Sequence, residues 1–354
     1  MLQETPIITL TNTVIQQALA AKASDVFIEP METCLRIRYR IDGHIKEIDR
    51  MSKSLHFPLI SNLKAISNLD ITEHRLAQDG KFRFVTNQNK EVDLRVHVLP
   101  TVMGERIVLH VPDKDQDMAD IDKLGFEGES LERLKECCRK PHGLILACGP
   151  AGSGKTTTLH AVLKYIDSPG RNMVAVEDPA TLRSISRQDP DVVLIDEIRD
   201  PETLDIAFRE ALTGHLVLSS LRTTTAPGSI IRMIDMGVEP FLITSSVVAI
   251  AAQCLVRRVC QECRELLPNH TGGFYRPKGC AQCSNTGYKG RVGISETLVL
   301  TDKIKELILS SSSEADIKKA ARAQGMKTMR EDALSKASWG LTTLEEAICL
   351  TPPD

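Results

Sequence analysis

Gly149-Pro150-Ala151-Gly152-Ser153-Gly154-Lys155-Thr156 satisfies the spacing G-x-x-x-x-G-K-[ST] at every position. Such a run does one kind of chemistry. Its glycines let backbone N–H groups wrap phosphate oxygens, Lys155 reaches toward the β- and γ-phosphates, and the Thr156 hydroxyl is a magnesium ligand. Thr157 continues the cradle into the following helix. The flanks are those a phosphate loop needs. Leu144 to Cys148 is a short apolar run typical of a buried parallel strand, and Thr157 to Tyr165 is predicted to be a helix whose N-terminus favours an anion. The sequence therefore predicts nucleoside triphosphate binding.

Hydrolysis needs a metal holder and a group that activates water. Asp191-Val192-Val193-Leu194-Ile195-Asp196-Glu197 is an apolar strand ending in two carboxylates, so Asp196 or Glu197 is the metal-side candidate. A second strand, Val174-Ala175-Val176, ends in Glu177-Asp178, and Glu177 is a candidate for polarising water. Cys260-x-x-Cys263 and Cys280-x-x-Cys283 stand sixteen residues apart, the spacing of a structural zinc site. Four thiolates fill a tetrahedral shell and leave no open position for chemistry, so the ion would staple a loop. Cys34, Cys137, Cys138, Cys148, Cys254 and Cys349 lack such a pattern, and burial is expected for most of them.

The elements that must hold these groups are legible in the periodicity. Residues 1–112 read as a small α/β domain, with helices over 11–22 and 55–69 and strands over 26–29, 81–86, 91–99 and 105–111. Leu35, Ile37, Tyr39 and Ile41 alternate with Arg36, Arg38 and Arg40 up to an Asp42-Gly43 turn, which predicts a hairpin. The arginine stripe either faces an anion or a neighbouring subunit, or is a solvated strand face. The polar, aperiodic stretch 113–122 is the expected linker. Beyond it, strands over 144–148, 173–177, 192–195 and 216–220 alternate with helical stretches such as 201–212, the pattern of a parallel sheet covered by helices. The second domain is thus 123–354, including a tetracysteine insert over 256–292 and helices over 300–354.

Composition bounds the rest. A chain of 354 residues exceeds one ordinary core, and 42% hydrophobic with 26% charged residues is an ordinary globular balance. A net charge of −3 argues against a protein that coats nucleic acid. No apolar run is long enough to span a membrane, and the first residues lack an export signal, so a cytosolic location with reduced cysteines is expected.

In order and wording, these motifs resemble those of the ATPases that drive type II secretion and type IV pilus assembly, the GspE/PilB family. The resemblance covers nearly the whole chain. Ala23 to Pro30, Gln78-Asp79-Gly80, Asp93-Leu94-Arg95-Val96 and Gly104-Glu105-Arg106 resemble the domain beside the motor. Val176 to Pro179, Arg187 to Asp191, Glu197 to Asp200 and Leu212 to Leu216 resemble motor signatures. The four cysteines separate the chain from the related retraction ATPases.

The resemblance implies a PAS-like N-terminal α/β domain followed by a RecA-like P-loop domain with a zinc-binding insert, and a hexameric ring that uses ATP, Mg²⁺ and Zn²⁺. It implies that Glu177 is the catalytic glutamate and Glu197 the Walker B glutamate; Asp196 stands where the family usually has glycine, and recovers the generic Asp-Glu strand end that favours magnesium. Arg95, Arg183 and Arg187 fall on arginines that approach the phosphates. Implied partners are an inner-membrane platform protein and cytoplasmic docking proteins, with a peripheral position at the inner membrane face and no direct nucleic acid.

The chain also departs from that pattern. The further N-terminal docking domain of many members has no counterpart, so docking is expected to differ. The eight residues 180–187 make only about 12 Å of helix, shorter than the family's hairpin and helix. Arg222 replaces a histidine, and His110 replaces a phosphate-side arginine. Those changes keep open a subunit that binds nucleotide and hydrolyses little. A DNA-uptake motor shares most motifs but predicts DNA-stimulated turnover, which the negative charge does not favour.

Overall fold

The computed structural model describes residues 6–111, 120–176, 185–268 and 273–353. The chain divides into two compact units, 1–114 and 115–354.

In the first unit, strands β1 (Ala23–Pro30), β2 (Cys34–Ile41), β3 (His44–Ser52), β4 (Gln78–Val85), β5 (Glu91–Thr101) and β6 (Gly104–His110) form one sheet. Its order is β3-β2-β1-β6-β5-β4, and every neighbouring pair is antiparallel. Alternation decides its two faces. Leu35, Ile37, Tyr39, Leu94, Val96, Val98, Ile107 and Leu109 point to a core shared with helices α1 (Pro6–Ala20) and α2 (His56–Ile66). Helix α1 contributes Val14, Ile15 and Ala18, a helical spacing, and its Val14 carbonyl accepts the buried Tyr39 hydroxyl at 2.7 Å. At the β2–β3 turn Asp42 and Gly43 both have positive φ, +49° and +84°, as a two-residue hairpin requires.

The arginine stripe faces anions, and they are carboxylates of its own sheet. Arg36 and Arg38 pair with Glu29 at 3.1 and 2.7 Å, Arg106 joins the same carboxylate at 2.9 Å, and Arg40 pairs with Asp25 at 2.9 Å. Phe27 lies buried among them, its ring centre 5.3–5.8 Å from the guanidinium carbons of Arg38, Arg40 and Arg106. The stripe is a lid over one aromatic ring, neutralised by the adjacent strand.

Residues 113–119 of the expected linker lie outside the described residues, but Ile121 is already buried in the second unit's core. Asp120 caps the short 3₁₀ turn that carries it, Ile121–Lys123. The linker therefore ends sooner than composition implied, because one apolar residue in a polar run is enough to anchor it.

The second unit is built on β7 (Gly143–Cys148), β8 (Met173–Val176), β9 (Val192–Ile198), β10 (Leu216–Leu221), β11 (Val247–Val259) and β14 (Tyr288–Val299), in the order β14-β11-β7-β10-β9-β8. All pairs are parallel except β11 with β14. Leu144, Leu146 and Cys148 face one hydrophobic core, Ile145 and Ala147 the other, so β7 is buried on both sides, as a continuous apolar run predicts. Helices α3 (Glu129–Cys138) and α4 (Lys155–Ile166) flank the core of Ile145 and Ala147. The helix Pro201–Leu212 begins as its sequence dictates, with Asp200 accepting from the Thr203 N–H at 2.8 Å and proline in the first turn.

Candidate functional site

The phosphate loop leaves the end of β7 and feeds α4, which starts at Lys155 after Gly154 at φ +89°. The loop is tight enough that only glycine fits at its entrance. A Cβ on Gly149 would lie 2.3 Å from the Gln253 carbonyl oxygen and 2.4 Å from Ser153 Oγ. Gly149 is tied to the next strand by its N–H, which donates to the Leu221 carbonyl at 3.3 Å. Gln253, a polar residue in the apolar strand β11, supports the loop from beneath, donating its side-chain amide to the Ser153 carbonyl at 2.9 Å.

Lys155 is folded back on the loop itself. Its ammonium donates to the carbonyls of Gly149 and Pro150 at 3.0 and 2.9 Å. Burial lowers its pKa, with Arg222 acting in the same sense and Glu197 and Asp196 opposing. Ser153 is buried, and its hydroxyl has no hydrogen-bond partner among the described residues. A buried cation resting on weak carbonyl acceptors beside an orphaned donor is suited to phosphate oxygens. Thr156 is exposed at the start of α4, in position to offer its hydroxyl outward.

Strand β9 ends in the two acids, and there its pairing with β10 slips. Ile195 faces Ser219 and Ile198 faces Leu221, so Asp196 and Glu197 together oppose Ser220. The Ser220 hydroxyl donates to the Asp196 carbonyl at 2.8 Å, which satisfies a backbone group the irregularity would strand. Both acids are half-buried. Glu197 is held by two guanidiniums: Arg222 Nε meets Oε1 at 2.5 Å and Arg222 Nη2 meets Oε2 at 3.0 Å, while Arg199 Nε meets Oε2 at 2.6 Å. Burial pushes the Glu197 pKa up, but the bonds from Arg222 and Arg199 outweigh it and leave the carboxyl below its ordinary range.

The remaining candidates are scattered. Glu177 and Arg183 lie outside the described residues. Arg187 is exposed on the 3₁₀ turn Ile185–Gln188. Arg95 is exposed on β5, in register with His110 of β6 and Lys81 of β4. His110 is turned to its own sheet, its Nδ1 2.5 Å from the Asp25 carboxylate.

The four cysteines do converge. Their sulfurs all lie within 4.8 Å of one another, at the tip between β11 and β14. The neighbouring pairs stand at 3.7 Å (Cys280–Cys283), 3.8 Å (Cys263–Cys283) and 3.9 Å (Cys260–Cys280). A tetrahedral ion at about 2.3 Å from each sulfur requires edges of about 3.8 Å, so the cluster fits zinc. Burial opposes ionisation of Cys283, but N–H groups of Cys280 and Gly287, each 3.2 Å from its sulfur, and the neighbouring thiols of Cys280 and Cys263 lower its pKa, so this sulfur gives up its proton ahead of Cys263. Strands β12 (Arg264–Leu266) and β13 (Tyr275–Pro277) form a small hairpin beside it, and Arg264 anchors the insert by donating to the Gly340 carbonyl at 2.7 Å. Of the other cysteines, Cys137, Cys138 and Cys148 are buried, Cys34 and Cys254 are half-buried, and Cys349 is exposed near the end of the last helix, so full burial holds for three of the six.

Sequence reasoning missed Gln253, Ser220 and Arg199. Only Gln253 carried a signal, as the single polar residue in Val247 to Val256.

The family described as "Type II/IV secretion system protein" matches residues 1–182 and 180–349. The chain is 40% identical to the type IV pilus assembly ATPase PilB of Myxococcus xanthus (strain DK1622), covering 99% of this chain and 69% of that protein. It is 42% identical to the type II secretion system protein E of Aeromonas hydrophila, covering 99% and 77%. Among solved structures, the Legionella pneumophila ATPase DotB superposes with a TM-score of 0.70 at 18% identity, over 99% of this chain and 96% of that one. The pilus retraction motor PilT with bound ADP superposes at 0.64 and 23% identity, over 97% of each chain. These two show the fold, a mixed α/β N-terminal part joined to a P-loop part. With the phosphate loop, the strand-end acids and the cysteine cluster in place, the chain belongs to the type II/IV secretion system protein family, among the P-loop ATPases of the GspE/PilB group.

Proposed function

We propose that this chain is the ATP-hydrolysing motor of a type II secretion or type IV pilus assembly system, converting ATP binding and hydrolysis into domain motion that drives pseudopilus or pilus assembly and protein secretion. One observation carries the reading: a glycine-bounded loop presents a buried lysine whose hydrogen bonds, among the described residues, are to the loop carbonyls of Gly149 and Pro150, within the field of Glu197 on β9.

In the proposed cycle Lys155 exchanges the carbonyls of Gly149 and Pro150 for phosphate oxygens, and loop N–H groups complete the cradle. Thr156 and Asp196 would hold magnesium, which when bound would supply positive charge to offset that of the phosphates. Glu177 takes the proton of the attacking water while the bond from the γ-phosphorus to its bridging oxygen breaks, releasing ADP and phosphate. Glu197 supports the metal side, and Arg95, Arg183 and Arg187 supply positive charge when the domains close. The proposed assembly is a homohexameric ring, peripheral at the cytoplasmic face of the inner membrane, pushing on a platform protein and held by cytoplasmic docking proteins.

A second reading is favoured by one observation. Both oxygens of Glu197 are occupied by Arg222 and Arg199, which suits a subunit that binds ATP and turns it over little. Phosphate release separates the two. The motor reading expects the native chain to exceed Lys155→Ala and Glu177→Gln by orders of magnitude; equal, slow release from all three, with ATP still bound by the native chain, leaves the binding role.

A further inference from the structure

Arg222 has no place in the chemistry so far, yet it makes the most constrained contact of the site. It follows Leu221, the last residue of β10, whose carbonyl accepts the N–H of Gly149 at the entrance of the phosphate loop. Its backbone is therefore fixed to the loop. Its side chain crosses to β9 and meets both oxygens of Glu197, through Nε at 2.5 Å and Nη2 at 3.0 Å. The two partners are unequally exposed: the Glu197 side chain is 9% exposed and that of Arg222 60%. A carboxylate so withdrawn from water takes its direction from its cations. A planar fork gripping two oxygens leaves it one orientation, whereas a single-point contact leaves rotation about the last torsion. Arg199 makes only the single-point contact, to Oε2.

The slip between β9 and β10 explains why such a fork is needed. Two residues, Asp196 and Glu197, stand opposite one, so strand alternation does not by itself decide where the second carboxylate points. The direction has to come from outside the strand.

We propose that Arg222 is a positioning residue for ATP hydrolysis: its two-point grip fixes the Glu197 carboxylate relative to the phosphate loop. The inference rests on the motor reading above. Arg222 acts through Glu197 and does not itself hold nucleotide, and what it supplies is geometry as well as charge. Lysine, a point charge on a flexible stem, replaces only the charge.

The test compares the native full chain with Arg222→Gln and Arg222→Lys in steady-state phosphate release, and measures binding of a fluorescent mant-ATP in the presence of Mg²⁺. Positioning predicts that Arg222→Gln lowers kcat about tenfold or more, as lost preorganisation does, with mant-ATP affinity within about twofold of native. Arg222→Lys falls between the two. Three results overturn the inference: kcat unchanged or raised in Arg222→Gln, which makes the pair idle or a brake; affinity falling in step with kcat, which makes Arg222 a phosphate ligand; or full native kcat in Arg222→Lys, which makes charge alone sufficient. Failure of the motor reading looks different, because the native chain then releases phosphate no faster than Lys155→Ala.

Discussion

The side-chain amide of Gln253 donates to the main-chain carbonyl of Ser153, 2.9 Å away and one hundred residues earlier. It joins the middle of β11 to the phosphate loop. The other atom of that amide, Oε1, is buried with no partner among the described residues, so the side chain is kept for the one bond it makes. Because Gly149 lies against the Gln253 carbonyl as well, the whole residue is a floor under the loop.

Replacing Gln253 by leucine retains volume but strands a buried carbonyl, at a cost of about 1–3 kcal/mol. A lower melting temperature is expected, together with weaker mant-ATP binding by roughly five- to tenfold, since the loop loses its support. Unaltered affinity in a stably folded Gln253→Leu protein would show that the loop holds its shape without that floor.

Metal removal should act on the insert and not on the loop. Protein purified without chelator is expected to carry one zinc per chain by elemental analysis. Stripping it, or changing Cys283 to serine, should lower the melting temperature by several degrees, because a structural site contributes folding free energy directly. Absence of zinc from the native preparation removes the metal assignment.

Glu29 predicts an acid limb in the stability of the first unit. Burial raises its pKa, but Arg38, Arg106 and Arg36 lower it further, and the result lies below the usual 4.5. A carboxyl depressed in the folded state adds stability that is complete above its unfolded value and is lost as pH falls through the folded one. Native stability should therefore fall away below about pH 4. In Glu29→Gln the three arginines lose their common partner; a loss of about 2 kcal/mol at pH 7 is expected, discounted for their partial exposure, with a flatter acid limb. Chemical denaturation at pH 3, 5 and 7 checks both. An acid limb identical in the variant would assign it to other groups.

How much of this could be read in advance depends on how far apart along the chain the interacting groups lie. The phosphate loop is eight consecutive residues. Its glycines, its lysine and the strand and helix on either side are dictated by local conformational preference, and they fold where the pattern places them. The helix Pro201–Leu212 with its Asp200 cap, the Asp42-Gly43 hairpin and the two Cys-x-x-Cys pairs are local in the same way. The continuous apolar run of β7 likewise announces a strand buried on both faces.

Pairings between distant side chains follow from register and packing, which a single sequence does not contain. The arginines of β2 read as a free basic stripe because nothing in residues 34–41 shows that Glu29, Asp25 and Phe27 of the adjacent strand will lie under them. Arg222 reads as a lost histidine until the one-residue slip between β9 and β10 turns Glu197 into its partner. Gln253 becomes part of the site only once β11 takes its place beside β7. The sequence determined which local pieces would form and that phosphate and zinc chemistry were encoded in them. The tertiary structure decided which charges face each other, because that depends on strand order, on register counted residue by residue, and on burial that makes a small misplacement costly.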